Sequence, residues 1–237
     1  METKEKINVH AGHRKRLRES ILKSGIYNIS DLHFLEQLLT FTIPRADTNP
    51  IAHALLKEFK TIKGIFDASY QSLIKVKGVG DKTARFLEYL PVCSYYYNKS
   101  KFTKTTILDT PATIVNYIIN VLPPCKNEQF IIIALNKDSS IKTYKIFEGL
   151  NDSFVALDSF TLTEFLINNK VKYCIFAHTH PYSSCKPSLK DIESFNKLNS
   201  LTNSLDVKIM DNLIISSEDF YSTKHNTIFS LKDITLN

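Results

Sequence analysis

The chain has no apolar run long enough to cross a bilayer. About 18 to 20 such residues in succession are needed. The longest run here, Phe130 to Leu135, reads instead as a buried strand. No secretory leader is expected either, because the opening Met-Glu-Thr-Lys-Glu-Lys is charged and carries neither apolar stretch nor cleavage site. There is no Cys-x-x-Cys pair. Cys93, Cys125, Cys174 and Cys185 are widely spaced, which fits reduced thiols better than a disulfide framework. Low-complexity tracts are absent, and the only hint of a repeat is a loose likeness between two helix-turn-helix units near the N-terminus. These absences set the expectation of a soluble cytoplasmic protein with no membrane partner.

What is present is enough for a packed core, 43% apolar residues in 237, and for one or two domains. The charge is uneven. Residues 1–104 carry 18 Lys/Arg against 10 Asp/Glu, whereas the remainder carries 12 against 14. A basic first part beside a near-neutral second part points to two domains with different partners. Two readings of the basic part stand side by side: attraction to a polyanion, or a solvated basic surface.

The first part reads as helices. Arg14 to Lys23 is a short basic helix. Ser30-Asp31 caps a second, with Leu32, Leu35, Leu38 and Leu39 on one face. Ile43-Pro44-Arg45 breaks it, and Asn49-Pro50 opens a third, with Ile51, Ala54, Leu55 and Phe59 as its stripe. A short helix at Ser69 to Lys75 leads into Val76-Lys77-Gly78-Val79-Gly80, and Asp81 begins the next. The polar, lysine-rich stretch from Lys99 to Thr106 then marks a linker. Beyond it come a helix capped by Thr110, paired strands at Phe130 to Leu135 and Ile141 to Phe147, and a helix over Leu162 to Ile167. A buried strand at Val171 to Ala177 follows, then a helix from Ser188. Strands at Val207 to Met210, Leu213 to Ser216 and Phe220 to Lys224 complete a mixed sheet.

The strand from Val171 runs into His178-Thr179-His180-Pro181. Strand residues i and i+2 point the same way, so both imidazoles face one side. Asp191 is the fourth residue of the helix expected at 188–202, and a carboxylate in a first turn faces back toward the loop that holds the histidines. Two nitrogens and one oxygen form a borderline ligand set suited to Zn²⁺, with a fourth position left open as in catalytic sites. Ser188 and Asp191 also fit a helix cap with an acidic partner, which needs no chemistry. The cap and ligand readings are compatible. Neither cap nor core explains the paired histidines.

His178-Thr179-His180, seven residues, Ser188, two residues and Asp191 together resemble the JAMM motif of the MPN (JAB) metalloprotease superfamily, and the whole chain resembles the RadC family. Asp206 to Ile215 is similar to the segment that follows the motif helix there. Gly12-His13-Arg14, Ile43 through Pro50 and Val76 through Gly80 resemble its N-terminal helix-hairpin-helix region. The resemblance implies a helical, helix-hairpin-helix-like domain over residues 1–100, a linker over 101–108, and an α/β MPN (JAB, cytidine-deaminase-like) domain over 109–237 with a mixed sheet flanked by helices. It also implies one Zn²⁺ per chain on His178, His180 and Asp191. Glu128, just before the first strand, matches the superfamily's general acid/base; read without the resemblance, it is an exposed loop carboxylate. Ser188 would donate to the developing oxyanion.

The chain departs from the family between the ligands. Most RadC proteins follow the histidine pair with Ser-Gly and then Pro-x-Pro-Ser. Here Tyr182-Ser183-Ser184-Cys185-Lys186-Pro187-Ser188 stands instead. Thr179 replaces the usual Asn, Asn212 replaces a His after the Asp of the later strand, and the segment before Leu162 lacks a Pro-Arg-Glu pattern. No proposed ligand is lost. Cys185 is either an inert loop thiol or an adventitious, redox-sensitive ligand.

In the basic domain, glycines of the hairpin would let the backbone approach a phosphate, with Lys77, Gly78, Gly80, Lys82 and Arg85 as the candidate contacts for non-specific DNA binding. The other reading is a packing module or protein-docking surface. Two functions follow. One is a zinc-dependent hydrolase of the JAMM type acting on a peptide or protein substrate. The alternative is a DNA-binding accessory protein linked to DNA repair, with a silent or structural metal site. A metal-dependent phosphodiesterase is a weaker third, since two metals and more carboxylates would be expected. Nothing in the sequence sets an oligomeric state.

Overall fold

A computed structural model describes residues 12–25, 27–125, 127–148 and 159–234. The leader reading at the N-terminus and most of the segment before Leu162 fall outside the described residues. The chain divides into two compact units, Met1–Ser94 and Tyr95–Asn237.

The first unit is helical: α1 (His13–Ser24), α2 (Asp31–Leu39), α3 (Asn49–Phe59), α4 (Ile62–Phe66), α5 (Tyr70–Leu73) and the start of α6 (Asp81–Ser100). The Ser30 hydroxyl accepts from the His33 amide and begins α2, and Pro50 sits in the first turn of α3. Leu35, Leu39, Ala52, Leu55, Ile65, Leu73, Ala84 and Leu87 form the core. The alanine of α3 that is buried is Ala52, one residue pair away from the expected Ala54. Helix α4 was not expected; it is one short turn capped by the Thr61 hydroxyl, which accepts from the Gly64 amide. Arg14 donates to the carbonyls of Ile43, Pro44 and Ala46 and so holds the loop that breaks the helical run after α2.

The division between units falls inside α6, at Ser94, and the stretch expected as a linker is structured. Lys99 and Ser100 are still helical. Phe102 packs on the second core, Ile107 bridges Ser140, and Leu108 is buried. The lysines that made 101–108 read as a linker are exposed, while Phe102 and Leu108 pack on the core and Ile107, with its side chain exposed, is held through its backbone.

The second unit contains α7 (Pro111–Val121), β1 (Gln129–Leu135), β2 (Ile141–Glu148), α8 (Ser159–Asn168), β3 (Tyr173–Thr179), α9 (Leu189–Ser204), β4 (Lys208–Ile215), β5 (Asp219–Ser222), β6 (Thr227–Ser230) and a closing 3₁₀ turn. The sheet order is β2-β1-β3-β4-β5-β6, antiparallel except for the β3–β4 pair. A parallel pair needs a crossover, and α9 supplies it. Alternate strand residues serve opposite faces. Ile131, Ile133, Ile175, Ala177 and Leu213 pack with Val115 and Ile118 of α7. Phe130, Ile132, Cys174 and Phe176 pack with Leu162, Phe165 and Leu166 of α8 and Leu198 of α9. The result is a mixed sheet with helices on both faces.

Two strand expectations need correction. The strands anticipated on either side of Asp211-Asn212 are one strand, β4. Asp211 is buried yet satisfied: it accepts from Ser222 Oγ at 2.6 Å, the Lys224 amide at 3.0 Å and the Asn212 amide at 2.8 Å. The strand expected over Phe220 to Lys224 is β5, which ends at Ser222, and β6 follows it. Among the described residues no helix is long and apolar enough to cross a membrane.

Candidate metal centre

β1 and β3 run antiparallel with Phe130 opposite His178. His178 follows Cys174 and Phe176 in alternation, so it faces α9. His180 lies one residue beyond β3, where its amide donates to the Ile215 carbonyl at 2.7 Å and keeps it against the end of β4. The two rings meet as the spacing predicts, with Nε2 atoms 3.1 Å apart.

Asp191 is the third residue of α9. Its Oδ1 is 3.2 Å from His178 Nε2 and its Oδ2 is 3.8 Å from His180 Nε2. The carboxylate also accepts from the Ser188 amide at 2.7 Å, while the Asp191 amide donates to Ser188 Oγ at 3.2 Å. The cap and the cluster therefore coexist, as the sequence allowed. The side chains of His180 and Asp191 are each only 8% exposed. Burial opposes ionisation of Asp191, but hydrogen bonds from His178, His180 and Ser188 together outweigh it and hold the carboxyl far below the usual range. His180 is raised, chiefly by its hydrogen bond to Asp191 and against the penalty of burial, with further support from the Ser184 carbonyl and the charge of Glu128.

These three residues are the one group among the described residues with metal-ligand character, and their donor atoms lie within 4.8 Å of one another. For a tetrahedral ion with ligand bonds of ~2.1 Å, neighbouring ligand atoms sit ~3.4 Å apart. The observed separations bracket that value. The tautomer fits as well. A carbonyl can only accept, so the 2.7 Å contact between His180 Nδ1 and the Ser184 carbonyl places the proton on Nδ1 and the lone pair of the neutral ring on Nε2.

The other predicted residues fall as follows. Glu128 is half-buried immediately before β1 rather than an exposed loop carboxylate. The next amide, Gln129 N, donates to Thr179 Oγ1 at 2.9 Å, which ties the start of β1 beside the histidine pair. Glu128 is close enough for its charge to act on His180. Ser188 is exposed at the helix start, and its cap contact uses an oxygen lone pair rather than its proton. Cys185 is buried at 2% exposure and is not in the ligand group. Burial and the Asp219 carboxylate push its thiol up, against a smaller opposing effect of the Ser216 hydroxyl. Of the two sequence readings, the geometry matches the inert thiol. Asn212 is buried and its Nδ2 reaches Thr223 Oγ1 at 3.4 Å. The sequence reading did not find the Ser184 carbonyl, because a main-chain acceptor carries no residue-type signal. Thr179 was found only as a departure, and its hydroxyl is now assigned.

The candidate phosphate contacts belong to the helical unit. Gly78 has φ +93°, and a Cβ there would sit 2.8 Å from Ile51 Cγ1, so this glycine is required by packing against α3. Gly80 has open space around it. Lys77 and Lys82 are exposed. Arg85 is engaged: Nε is 3.1 Å from Asp81 Oδ1, and the guanidinium lies 4.8 Å over the Tyr70 ring.

Comparison with known proteins adds the family context. Residues 108–228 match the RadC-like JAB domain. The UPF0758 protein FN0909 of Fusobacterium nucleatum is 30% identical over 89% of this chain and 94% of its own length. The UPF0758 protein PSHAa2643 of Pseudoalteromonas translucida is 27% identical over 86% of this chain and 91% of its own.

Proposed function

We propose, from the premise that this chain belongs to the RadC family, that it is a zinc-dependent hydrolase of peptide or isopeptide bonds. The observation that carries the reading is the convergence of His178 Nε2, His180 Nε2 and the Asp191 carboxylate on one point at ligand-like separations. JAB domains include metalloproteases. His178, His180 and Asp191 would hold a zinc ion, which would supply Lewis acidity toward a carbonyl and toward water near neutral pH.

The chain's own groups supply the rest. Asp191 brings a full negative charge, since its carboxyl stays ionised throughout the physiological range. His180 is oriented by the Ser184 carbonyl. Glu128 takes the proton of the attacking water and returns it to the leaving nitrogen. The Ser188 hydroxyl proton, not spent in the cap, is donated to the oxyanion of the tetrahedral intermediate.

The test is zinc-reconstituted full chain against a fluorogenic library of peptide and isopeptide substrates. Glu128→Gln should keep one zinc per chain and lose turnover by about 10²-fold or more. A wild type that takes up no zinc, or a Glu128→Gln variant with full turnover, overturns the reading.

A role for the helical unit as a helix-hairpin-helix module on DNA is the second reading. The open approach to Gly80 and the exposed Lys77 and Lys82 favour it. The Asp81 carboxylate at the start of α6, already paired with Arg85, opposes it, because it occupies the helix end where a phosphate would sit.

A further inference from the structure

The loop between the ligands departs most from the family, yet it is fastened at three points. His180 N is bonded to the Ile215 carbonyl at 2.7 Å, and His180 Nδ1 to the Ser184 carbonyl at 2.7 Å. Between Ser184 and the helix cap, Cys185 is the one fully buried residue from Tyr182 to Ser188. Its side chain lies within reach of Ser216 and Asp219, where β4 turns into β5. That turn is itself rigid: Ser216 N donates to the Asp219 carbonyl at 2.8 Å, and the Asp219 amide donates to Ser216 Oγ at 3.1 Å.

We infer that Cys185 is a positioning residue for the metal centre: its burial against the β4–β5 turn fixes the adjoining Ser184 carbonyl, and that carbonyl dictates which nitrogen of His180 carries the proton. The inference rests on the proposed metal site. Exposed Ser183, Ser184 and Lys186 on either side have no comparable anchor in the core. Without Cys185 buried, the carbonyl turns toward solvent and the ring loses its Nδ1 acceptor. The neutral ring then populates both tautomers, and one of them presents N–H where a ligand lone pair is needed. In this reading the sulfur is neither ligand nor nucleophile. A thiol with raised pKa and 2% exposure is suited to packing and not to reaction. Where most family members carry a proline, which restricts the backbone, this chain places a buried side chain.

The experiment uses the full chain and two readouts. Long-range ¹H–¹⁵N spectra of metal-free protein, recorded where the imidazoles are neutral, report the His180 tautomer. Chelator competition with Zn²⁺ reports affinity. Wild type should show a single Nδ1–H tautomer. Cys185→Asp, which would bury a carboxylate beside Asp219 and is therefore expelled, should show mixed tautomers and about 10- to 100-fold weaker zinc binding, the range for loss of an outer-shell partner. Cys185→Gly removes the anchor without adding charge and should move both readouts the same way, which keeps the test decisive if the Asp variant does not fold. Cys185→Ser, of similar size and able to bond Ser216, should restore both. Wild-type tautomer and affinity in the Gly variant would overturn the role of Cys185. A wild type that binds no zinc would instead sink the proposed function, and the tautomer readout would still judge the anchor.

Discussion

Asp191→Asn separates the two roles that this carboxylate plays. The amide keeps an oxygen that can accept from the Ser188 amide, so the cap, worth about 1 kcal/mol, survives in large part. What is lost is the charge and an anionic ligand 3.2 Å from His178 Nε2. The assay is thermal unfolding with and without zinc. A ligand present at 100 times its Kd stabilises by about 2.7 kcal/mol. At about 2–4 °C per kcal/mol for a domain of this class, wild type should gain roughly 5–10 °C. The variant should unfold within a few degrees of metal-free wild type and gain nothing at the same zinc concentration. If Asp191→Asn shows the full zinc shift, Asp191 is a cap and not a ligand, and the geometric argument for the centre is wrong.

Further outcomes follow from the same structure. Gly78→Ala forces a Cβ to 2.8 Å from Ile51 at φ +93° and should destabilise the helical unit by roughly 2–4 kcal/mol in urea unfolding, whereas Gly80→Ala, in open space, should stay within about 0.5 kcal/mol; equal effects would refute the packing role of Gly78. Thiol labelling of native protein should modify Cys93 and Cys125 and spare Cys174 and Cys185. Burial pushes the Cys174 thiol up to about 12, so the stability it contributes is complete below the ordinary thiol pKa and is lost as pH rises from there toward 12, measurable as a falling unfolding midpoint made less steep by Cys174→Ala, with buried Tyr117, also pushed up, contributing to the remaining slope. If the helical unit contacts DNA, binding should weaken with salt, and Lys77→Ala with Lys82→Ala should lower the salt slope by about 2; no binding at low salt removes that role.

Local chemistry was legible in the sequence where one segment decides. Ser30, Thr110 and Ser188 cap the helices they were expected to cap, because a hydroxyl three residues before a free amide needs no distant partner. The histidine pair meets because strand alternation acts over two residues. Features that depend on distant segments were hidden. Asp211-Asn212 looks like a break between strands until Ser222 of β5 and Lys224 just beyond it arrive to satisfy the carboxylate. The stretch read as a linker is held by Phe102, the Ile107–Ser140 bridge and buried Leu108, whose contacts come from segments later in the chain. The Ser184 carbonyl has no signal at all, since every residue has one.

The core is what makes the centre possible. A slip of one residue between β1 and β3 would move strand side chains to the opposite face. Phe130 would no longer lie across from His178, and Glu128 would be displaced from the end of β3 where its charge reaches His180. The slip is excluded by packing: Ile131, Ile133 and Ile175 are fully buried on the α7 side, and Ile132 and Phe176 on the α8–α9 side. Exchanging one set for the other would expose large apolar surface at about 25 cal/mol per Å² on both faces. The parallel β3–β4 pair then obliges the chain to cross over through α9, and the crossover brings a helix start, with its capped carboxylate, to the same end of the sheet. The histidine pair, Glu128 and the helix end with Asp191 thus share one edge because hydrophobic register fixes the strands, while the loop of Tyr182 to Lys186 has only to close the short distance that register leaves.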